Sequence, residues 1–325
     1  MNKRFFIKNL LTLSLIGATF MAFSQESYPN RPITLIVPSS PGGTTDFTAR
    51  LIADPLSKVL GQPVVVENKG GAAGNIGGQA VALARPDGYT FLVAYSGYQV
   101  GNPHLFKKAP WDPIKDFAPV AFLTKAPQVI VASPNLPVND LKELTAYAKA
   151  NPGKLNYASS GNGSIQHIAA ELFKQITGTR MAHIPYKGAG PAVQDLMAGQ
   201  VDLFITTPAS VIGQIKGDKL KALAVTSQNR LSALPNVATA SEQGIKNFNL
   251  DSWFALYAPA GTPPDVIKKI NAEVNKILAR PEIQKKAEDS GTFVEQMTPA
   301  QLATFTKKEY DFWGKVIQNA SITAE

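Results

Sequence analysis

Two glycine- and hydroxyl-rich loops are the segments of this sequence whose residue types could do chemistry. The first, 38–46, reads PSSPGGTTD, and the second, 159–164, reads SSGNGS. Glycines let the backbone approach a ligand closely, and the first amides of a following helix are unpaired donors that favour an anion. Both loops therefore predict anion binding, and a plain strand-to-helix turn capped by Thr44 or Thr45 is the structural alternative for the first.

Neither loop matches a nucleotide-binding fingerprint. No Lys-Ser or Lys-Thr follows the glycines of the first loop, and the Gly-x-Gly of the second is followed at the third position by Gln166 instead of glycine. A third glycine segment, 186–191, offers Tyr186 as a stacking face and Lys187 as a charge. Lysine is usually a solvated surface residue, so Tyr186 is the ligand contact expected from this segment.

Ser164 and His167 form a serine-histidine pair that nucleophilic catalysis could use. They lie three residues apart, but no Gly-x-Ser-x-Gly elbow surrounds any predicted strand end. The absence of cysteine excludes thiol enzymes, zinc ribbons, iron-sulfur proteins and disulfide scaffolds. His104 and His183 have no partner at a metal-binding spacing. We expect a binding protein with no catalytic residue, no cofactor and no metal, and a secreted serine hydrolase is the less favoured alternative.

Short β-branched runs alternate with helix-length segments from residue 33 onward. Continuous apolar strands separated by helices are typical of parallel sheets covered on both faces. The pattern predicts strands at 33–37, 64–67, 90–94, 129–132, 155–158, 181–184, 201–206, 220–226 and 253–258. It predicts helices at 45–60, 75–84, 140–150, 164–177, 190–198, 211–216, 264–279, 281–290 and 299–317.

The chain length and this pattern predict an α/β protein with two lobes and a ligand cleft between them. We place lobe 1 at 25–126 plus 251–325 and lobe 2 at 127–250, after a signal peptide at 1–24. Each lobe then offers one glycine loop at the carboxyl end of a strand. The two chain crossings predict a hinge.

The N-terminus has the pattern of a cleavable signal peptide. A basic start is followed by an apolar stretch at 10–23 and by small residues before Gln25. An uncleaved anchor is the alternative, but this stretch is shorter than the roughly 20 residues that span a membrane. We therefore expect export to the periplasm. Removing residues 1–24 lowers the net charge from +8 to +5, and no basic run exceeds two residues, so nucleic acid is not expected as a partner.

Six ordered motifs, spread over more than 200 residues, resemble those of the Bug/TctC family, the extracytoplasmic solute receptors of tripartite tricarboxylate transporters. The resemblance implies a type II periplasmic-binding-protein fold that closes on a small organic mono- or dicarboxylate. It also implies delivery of that ligand to membrane permease subunits by a monomeric receptor. The six motifs are YPNRPI at 28–33, VP…PGG…D at 37–46, VVEN…GNIG at 65–77, PDGYT at 86–90, PYKG at 185–188 and APAGTP at 258–263.

Site residues follow from the family by position. In such receptors the amides and hydroxyls of the two lobe loops hold a carboxylate. The resemblance points to Ser40, Gly42, Gly43, Thr44 and Asp46 in the first loop, to Ser160, Gly161, Gly163, Ser164 and His167 in the second, and to Ser96 and Thr207 at two other strand ends.

Two positions depart from the family pattern. Ser39, which we also include among the ligand-binding residues, stands where the family usually has an aromatic residue. An apolar wall of the pocket is then either missing or supplied by another residue such as Tyr95 or Tyr98. Lys69 is a milder change. Both departures affect the identity of the ligand more than the fold. An exported sensor that serves a signalling partner is the remaining alternative function.

Overall fold

The computed structural model describes residues 28–106 and 108–319. The predicted signal peptide, 1–24, lies outside these residues. The second of two compact units begins at Arg31, and residues 28–30 contain no helix or strand. In the second unit the strands are β1 (Ile33–Val37), β2 (Val64–Asn68), β3 (Thr90–Tyr95), β4 (Phe117–Pro127), β5 (Val129–Ala132), β6 (Asn156–Ser159), β7 (Ala182–Pro185), β8 (Leu203–Thr206), β9 (Lys221–Val225), β10 (Asp251–Pro259) and β11 (Phe293–Val294).

The α-helices of this unit agree with the predicted ones to within about two residues. They are α1 (Thr44–Leu60), α2 (Asn75–Ala82), α3 (Asn102–Leu105), α4 (Leu141–Ala150), α5 (Ile165–Thr177), α6 (Ala189–Met197), α7 (Ile212–Lys216), α8 (Pro264–Leu278), α9 (Pro281–Asp289) and α10 (Pro299–Asn319). Of these, α3 was not predicted. Two 3₁₀ turns, Ala72–Gly74 and Pro208–Ser210, and a π-helical turn, Gly97–Gly101, complete the regular structure.

The strands form two mixed sheets. Sheet 1 has the order β11-β4-β10-β3-β1-β2, and sheet 2 has the order β7-β6-β8-β5-β9. In sheet 1, β1 runs parallel to β2 and β3, with Leu35 opposite Val66 and Phe91. In sheet 2, β6 runs parallel to β7 and β8. The antiparallel members are β10, between β3 and β4, the short edge strand β11, beside β4, and β5, between β8 and β9.

The prediction of wholly parallel sheets is therefore wrong for the strands next to the chain crossings. A parallel neighbour needs a crossover connection, usually a helix. Only Gln128 separates β4 from β5, so the chain passes straight from sheet 1 into sheet 2. It returns to β10 after the segment 226–250, which contains no helix or strand of its own.

Strand β4 was missed because proline interrupts its pattern. Pro119 lies opposite Tyr257 at a register shift of the β4–β10 ladder, where a missing N–H is tolerated. The remaining residues of β4 are nearly all buried. A proline near a strand end thus conceals a strand that pairs on both sides, with β10 and β11.

Each sheet has its own apolar packing. Successive residues of β5 point to opposite faces of sheet 2, where Ile130 packs with Leu144 and Phe173 of one cluster and Val131 packs with Leu196 of the other. The cluster on sheet 1 includes Trp253 and Trp313 among its residues. Helices therefore cover sheet 2 on both faces, as predicted.

Hydrogen bonds connect the two crossings. The Gln128 side chain donates to the Ser252 hydroxyl at 2.9 Å, and the Gln128 amide donates to the Thr226 hydroxyl at 2.9 Å. The Thr226 hydroxyl lies 3.1 Å from the carbonyl of Leu250, to which it can donate. The division into 25–126 plus 251–325 and 127–250 stays a prediction, and these bonds lie at its two boundaries.

Candidate functional site

A narrow cavity, with about 20 Å³ open to the centre of a water-sized sphere, lies where loops from both sheets meet. Its walls include residues at the carboxyl ends of four strands: Ser39 after β1, Tyr95 ending β3, Ser160 after β6 and Thr207 after β8. These ends are where α/β proteins gather ligand-binding groups. This inner cavity is lined by Ser39, Gly43, Thr44, Thr45, Tyr95, Tyr98, Ser160, Gln166, Ala189, Thr207, Ser210 and Phe254.

The inner cavity is polar without being charged. Six of its lining residues are serine or threonine, and none of the lining residues that the structure describes carries a charge. A hydroxyl both donates and accepts, and a hydrogen bond to an ionised group is stronger than one between neutral groups. The cavity therefore offers several neutral donors that a small anion could use.

The first turn of α1 borders this cavity. Gly43, not Thr44 or Thr45, is the N-cap of α1 and supplies no side-chain cap, so the capping alternative is wrong. The Thr44 amide donates to the Ser210 hydroxyl at 3.2 Å, and the Thr44 hydroxyl lies 2.6 Å from that of Thr207. Groups next to sheet 2 thus contact the positive end of a 17-residue helix.

Ser40 makes a second contact between loops of the two sheets. Both its amide and its hydroxyl donate to the Lys187 carbonyl, at 3.1 and 3.0 Å. Gly188 permits this approach, because it has a φ of +133° and a Cβ placed there would lie 3.0 Å from the Ser40 nitrogen. The third glycine segment therefore positions backbone against the first loop.

Tyr95 and Tyr98 form the aromatic wall. The Tyr95 hydroxyl donates to the side-chain oxygen of Gln166 at 2.6 Å and accepts the Ile165 amide at 2.9 Å. Tyr98 donates to the Ser160 carbonyl at 2.5 Å. Burial raises the pKa of both phenols, so both hydroxyls remain protonated donors. Both rings line the same cavity as Ser39.

The second loop satisfies several of its own donors. Ser164 caps α5, and its hydroxyl accepts the His167 amide at 3.3 Å. The Gly163 amide donates to His167 Nδ1 at 3.1 Å, and the Gly161 amide donates to the Ser159 hydroxyl at 3.1 Å. Among the residues predicted in this loop, only Ser160 lines the inner cavity.

Two stacked imidazoles contact the second loop. The rings of His167 and His183 lie 3.9 Å apart with an interplanar angle of 7°, and His183 Nε2 lies 2.6 Å from the Ser159 hydroxyl. Burial lowers the pKa of His167. Burial and the adjacent His167 lower the pKa of His183 to about 4. Both rings are therefore neutral near pH 7, as the acceptor role of His167 Nδ1 requires.

The geometry does not assemble a hydrolase. His167 Nδ1 accepts a backbone amide, and the Ser164 hydroxyl accepts the His167 backbone rather than contacting its ring. A serine nucleophile needs a hydrogen bond to its base. The Ser164–His167 alternative therefore lacks the pairing on which it depends.

Asp46 and Ser96 are buried supports that lie outside the cavity wall. The Asp46 carboxylate accepts the Gly42 amide at 3.2 Å and pairs with Arg50 at 3.1 Å. The Ser96 hydroxyl accepts the Trp253 amide at 3.2 Å, which joins β10 to the end of β3. Both residues hold the strand ends in place.

A second cavity lies on the other side of Tyr98 and Ser160. This outer cavity has about 250 Å³ open to the centre of a water-sized sphere, and Tyr98 and Ser160 line both cavities. The Tyr186 hydroxyl donates to Asp195 at 2.7 Å while Tyr186 lines the outer cavity. The outer cavity is lined by Gly71, Ala72, Ala73, Gly74, Tyr98, Phe106, Ser160, Gly161, Asn162, Pro185, Tyr186 and Lys187.

The predicted site set thus falls into three groups, and its role in binding stays a prediction. Lining the inner cavity are Ser39, Gly43, Thr44, Ser160 and Thr207. Gly161 and Tyr186 line the outer cavity alone. Residues that line neither cavity are Ser40, Gly42, Asp46, Ser96, Gly163, Ser164 and His167.

Five further residues that were not predicted as site residues also line the inner cavity: Thr45, Gln166, Ala189, Ser210 and Phe254. Ser210 follows Thr207 by three residues, a spacing at which a single 3₁₀ turn places two side chains on one side. The spacing of Ser210 from Thr207, and the position of the Thr45 hydroxyl directly after Thr44, could have indicated these two residues from the sequence. Nothing local indicates Phe254, because it reaches the cavity through the pairing of β10 with β3.

Metal and membrane features are absent from the part of the chain that the structure describes. Within 28–106 and 108–319, no three His, Cys, Asp or Glu side chains are grouped to hold a metal ion. No helix in these ranges has the length and apolarity needed to cross a membrane.

Comparison with solved structures gives closely similar folds. BugD, a periplasmic binding protein, is 36% identical with a TM-score of 0.88, over 91% of this chain and 99% of that one. Rpa4515 of R. palustris, solved with adipate, is 34% identical with a TM-score of 0.88, over 91% and 99%. MatC from Rhodopseudomonas palustris, with bound malate, is 34% identical with a TM-score of 0.84, over 89% and 100%.

These neighbours confirm the two-lobed periplasmic-binding-protein fold predicted from the sequence. A family model, the tripartite tricarboxylate transporter family receptor, matches residues 48–322. This family consists of periplasmic solute-binding receptors and not of enzymes, which confirms the expectation of a binding protein. The chain belongs to the TctC family of tripartite tricarboxylate transporter receptors.

Proposed function

We propose that this receptor binds a small organic mono- or dicarboxylate in the inner cavity and delivers it to the membrane permease of a tripartite tricarboxylate transporter. The observation that carries the proposal is a cavity with six Ser or Thr residues, no charged lining among the described residues, and the start of α1 at its edge. The adipate- and malate-bound neighbours support the ligand class. The signal-peptide pattern supports export to the periplasm, where we expect a monomer to act.

Neutral donors suit a ligand that must be released. A hydrogen bond to a charged group contributes about 1.5–3 kcal/mol net, so three or four of them hold a carboxylate without a formal ion pair. The Thr44 hydroxyl lies 2.6 Å from the Thr207 hydroxyl and 3.0 Å from the Ser210 hydroxyl. A carboxylate that enters between them exchanges these contacts for stronger, charge-assisted ones.

Closure is coupled to binding in this proposal. Thr44–Thr207 and Ser40–Lys187 join loops that belong to different sheets, while Gln128 and Ser252 link the crossings. Rotation about the crossings separates these loops and exposes the cavity to ligand. Because the ligand adds bonds to both sides, it favours the closed form, which the permease then recognises.

A thermal-shift screen of the purified periplasmic protein tests the proposal. The panel contains malate, succinate, adipate, citrate and benzoate, with adipamide as an uncharged control of matched length. At least one carboxylate should raise the melting temperature in a concentration-dependent way, since a ligand that binds only the folded state stabilises it. A flat response to every carboxylate, or an equal response to adipate and adipamide, contradicts the proposal.

A further inference from the structure

The second loop places Ser160 in the wall of both cavities, yet residues 160–164 belong to neither a helix nor a strand. Gly161 has a φ of +130° and Gly163 a φ of +75°, so the backbone here follows a path that no regular element imposes. A bond from the Ser164 amide to the Gly161 carbonyl, at 3.1 Å, closes the turn on itself. The position of Ser160 within the protein therefore depends on the side chains that contact this loop.

His167 holds the end of the loop. Its Nδ1 accepts the Gly163 amide at 3.1 Å, and its own amide donates to the Ser164 hydroxyl at 3.3 Å. Gly163 is buried and His167 is 8% exposed, so water is a poor substitute for the ring nitrogen. A buried amide without an acceptor is costly. The imidazole therefore fixes the backbone at the point where the loop enters α5.

His183 holds the start of the loop. Its Nε2 lies 2.6 Å from the Ser159 hydroxyl, and the same hydroxyl accepts the Gly161 amide at 3.1 Å. His183 lies on β7, in register with Tyr157 of the neighbouring strand β6, from which the loop emerges. The contacts run from His183 through Ser159 to Gly161 and so enclose Ser160 on both sides.

The two imidazoles form one packed unit. They stack at 3.9 Å with an interplanar angle of 7°, and the ring of Tyr157 lies 5.0 Å from that of His183. The Tyr157 hydroxyl donates to Glu171, which also accepts the Lys174 ammonium at 2.7 Å. The pair is thus fixed on sheet 2 and α5, and it connects both ends of the second loop to them.

The loop in turn contacts residues at the end of β3 in sheet 1. The Ser160 carbonyl accepts the Tyr98 hydroxyl at 2.5 Å, and the Ile165 amide donates to the Tyr95 hydroxyl at 2.9 Å. Both tyrosines line the inner cavity. A displaced second loop would therefore change the inner cavity, although neither histidine lines it.

We propose that His167 and His183 are positioning residues for ligand binding, which hold the second loop where the ligand-bound cavity requires Ser160. Without them the loop must be ordered as the ligand binds, and the cost of that ordering lowers the affinity. The proposal rests on the proposed function, since it takes the inner cavity as the ligand site.

Calorimetry on His167→Leu and His167→Asn tests this proposal, with malate, succinate, adipate, citrate and benzoate as ligands. Both substitutions remove the stacked ring, but asparagine supplies an amide oxygen that can accept the Gly163 amide. His167→Leu should weaken binding about tenfold, whereas His167→Asn should stay within about twofold of wild type. Urea denaturation should show that both variants are less stable than wild type. Equal weakening in the two variants, or none in His167→Leu, would overturn the positioning role.

A second pair of variants tests the other end of the loop and decides the matter if His167→Leu does not fold. His183 is half-buried on β7, and glutamine can keep a contact with the Ser159 hydroxyl that leucine cannot. His183→Leu should weaken binding about fivefold and His183→Gln less than twofold. Equal weakening by both would overturn the role of His183.

His104→Leu is the matched control, because His104 is also half-buried but contacts Tyr310 on α10. Its affinity should equal that of wild type. If the wild-type protein binds no carboxylate of the panel, the proposed function fails together with this proposal. If wild type binds and both leucine variants bind equally well, the positioning role alone is overturned.

Discussion

The hydroxyls of Thr44 and Thr207 lie 2.6 Å apart and join the first turn of α1 to the end of β8. Thr44 begins the helix that follows β1 of sheet 1, and Thr207 directly follows β8 of sheet 2. Both residues are buried. Ser210 completes the group at 3.0 Å from Thr44. In the proposed function, ligand binding and the contact between the two loops therefore depend on the same three side chains.

Thr44→Val should weaken carboxylate binding about tenfold. The substitution keeps the shape of the side chain but removes one hydroxyl and leaves buried partners without a hydrogen bond, at a cost of about 1–3 kcal/mol. Titration calorimetry with the best ligand of the panel measures the change. Thr304→Val is the control, since Thr304 is exposed on α10 and its hydroxyl bonds to the same helix at Ala300. An unchanged affinity in Thr44→Val would remove Thr44 from the site.

Gly188→Ala should lower both stability and affinity. The backbone at Gly188 has a φ of +133°, and the added Cβ would lie 3.0 Å from the Ser40 nitrogen, so the Ser40–Lys187 contact must shift. We expect a loss of about 1–3 kcal/mol in the free energy of unfolding, measured by urea denaturation. Gly213→Ala is the matched control, because a Cβ at Gly213 meets nothing within 4 Å. Equal stability of the two variants would contradict this role of Gly188.

Asp46→Ala should reduce stability more than ligand affinity. The carboxylate holds the Gly42 amide and Arg50 and does not line the inner cavity. We expect a loss of about 1 kcal/mol in unfolding free energy, since the substitution removes the hydrogen bond from the Gly42 amide and the ion pair with the exposed Arg50. Asp54→Ala, an exposed position on the same helix, should change stability little. A complete loss of binding in a protein of wild-type stability would assign Asp46 to the ligand instead.

The stacked histidines predict a loss of stability in mild acid. Burial, together with the neighbouring His167, lowers the pKa of His183 to about 4, and Glu171 and Lys174 act on it in opposite directions. Between about pH 6.5 and 4 the unfolded chain binds a proton that the folded chain does not, so the free energy of unfolding falls as the pH falls. Partial exposure of the cluster limits the decline to about 1 kcal/mol.

Urea denaturation from pH 7.5 to 4.5 measures this decline, and His183→Gln should reduce it. His104→Gln leaves the stacked pair intact and should show the wild-type decline. A decline of equal size in wild type and His183→Gln would show that other groups cause it.

Local sequence patterns predicted the parts of the protein whose structure depends on residues that are neighbours in the sequence. The first loop, its helix and the hydroxyls of Ser39 and Thr44 could be read directly, because strand, glycine loop and helix follow one another. The antiparallel direction of β5 and β10 could not, since it depends on how the chain passes between sheets. Phe254 reaches the inner cavity by the same long-range pairing.

The outcome for His167 shows the same limit at the level of a side chain. Its position in the first turn of α5 was predictable, but its ring accepts the Gly163 amide and stacks on His183 and lines neither cavity. His183 lies 16 residues later in the sequence, on β7. The pairing of β6 with β7 brings the two together, and no local signal indicates it.

A crystal structure of the protein with a bound dicarboxylate tests the binding site most directly. We expect one carboxylate within hydrogen-bond distance of the Thr44, Thr207 and Ser210 hydroxyls, with the 2.6 Å Thr44–Thr207 contact replaced by bonds to the ligand. A carboxylate bound elsewhere, with the Thr44–Thr207 contact retained, would contradict the assignment of the inner cavity as the ligand site.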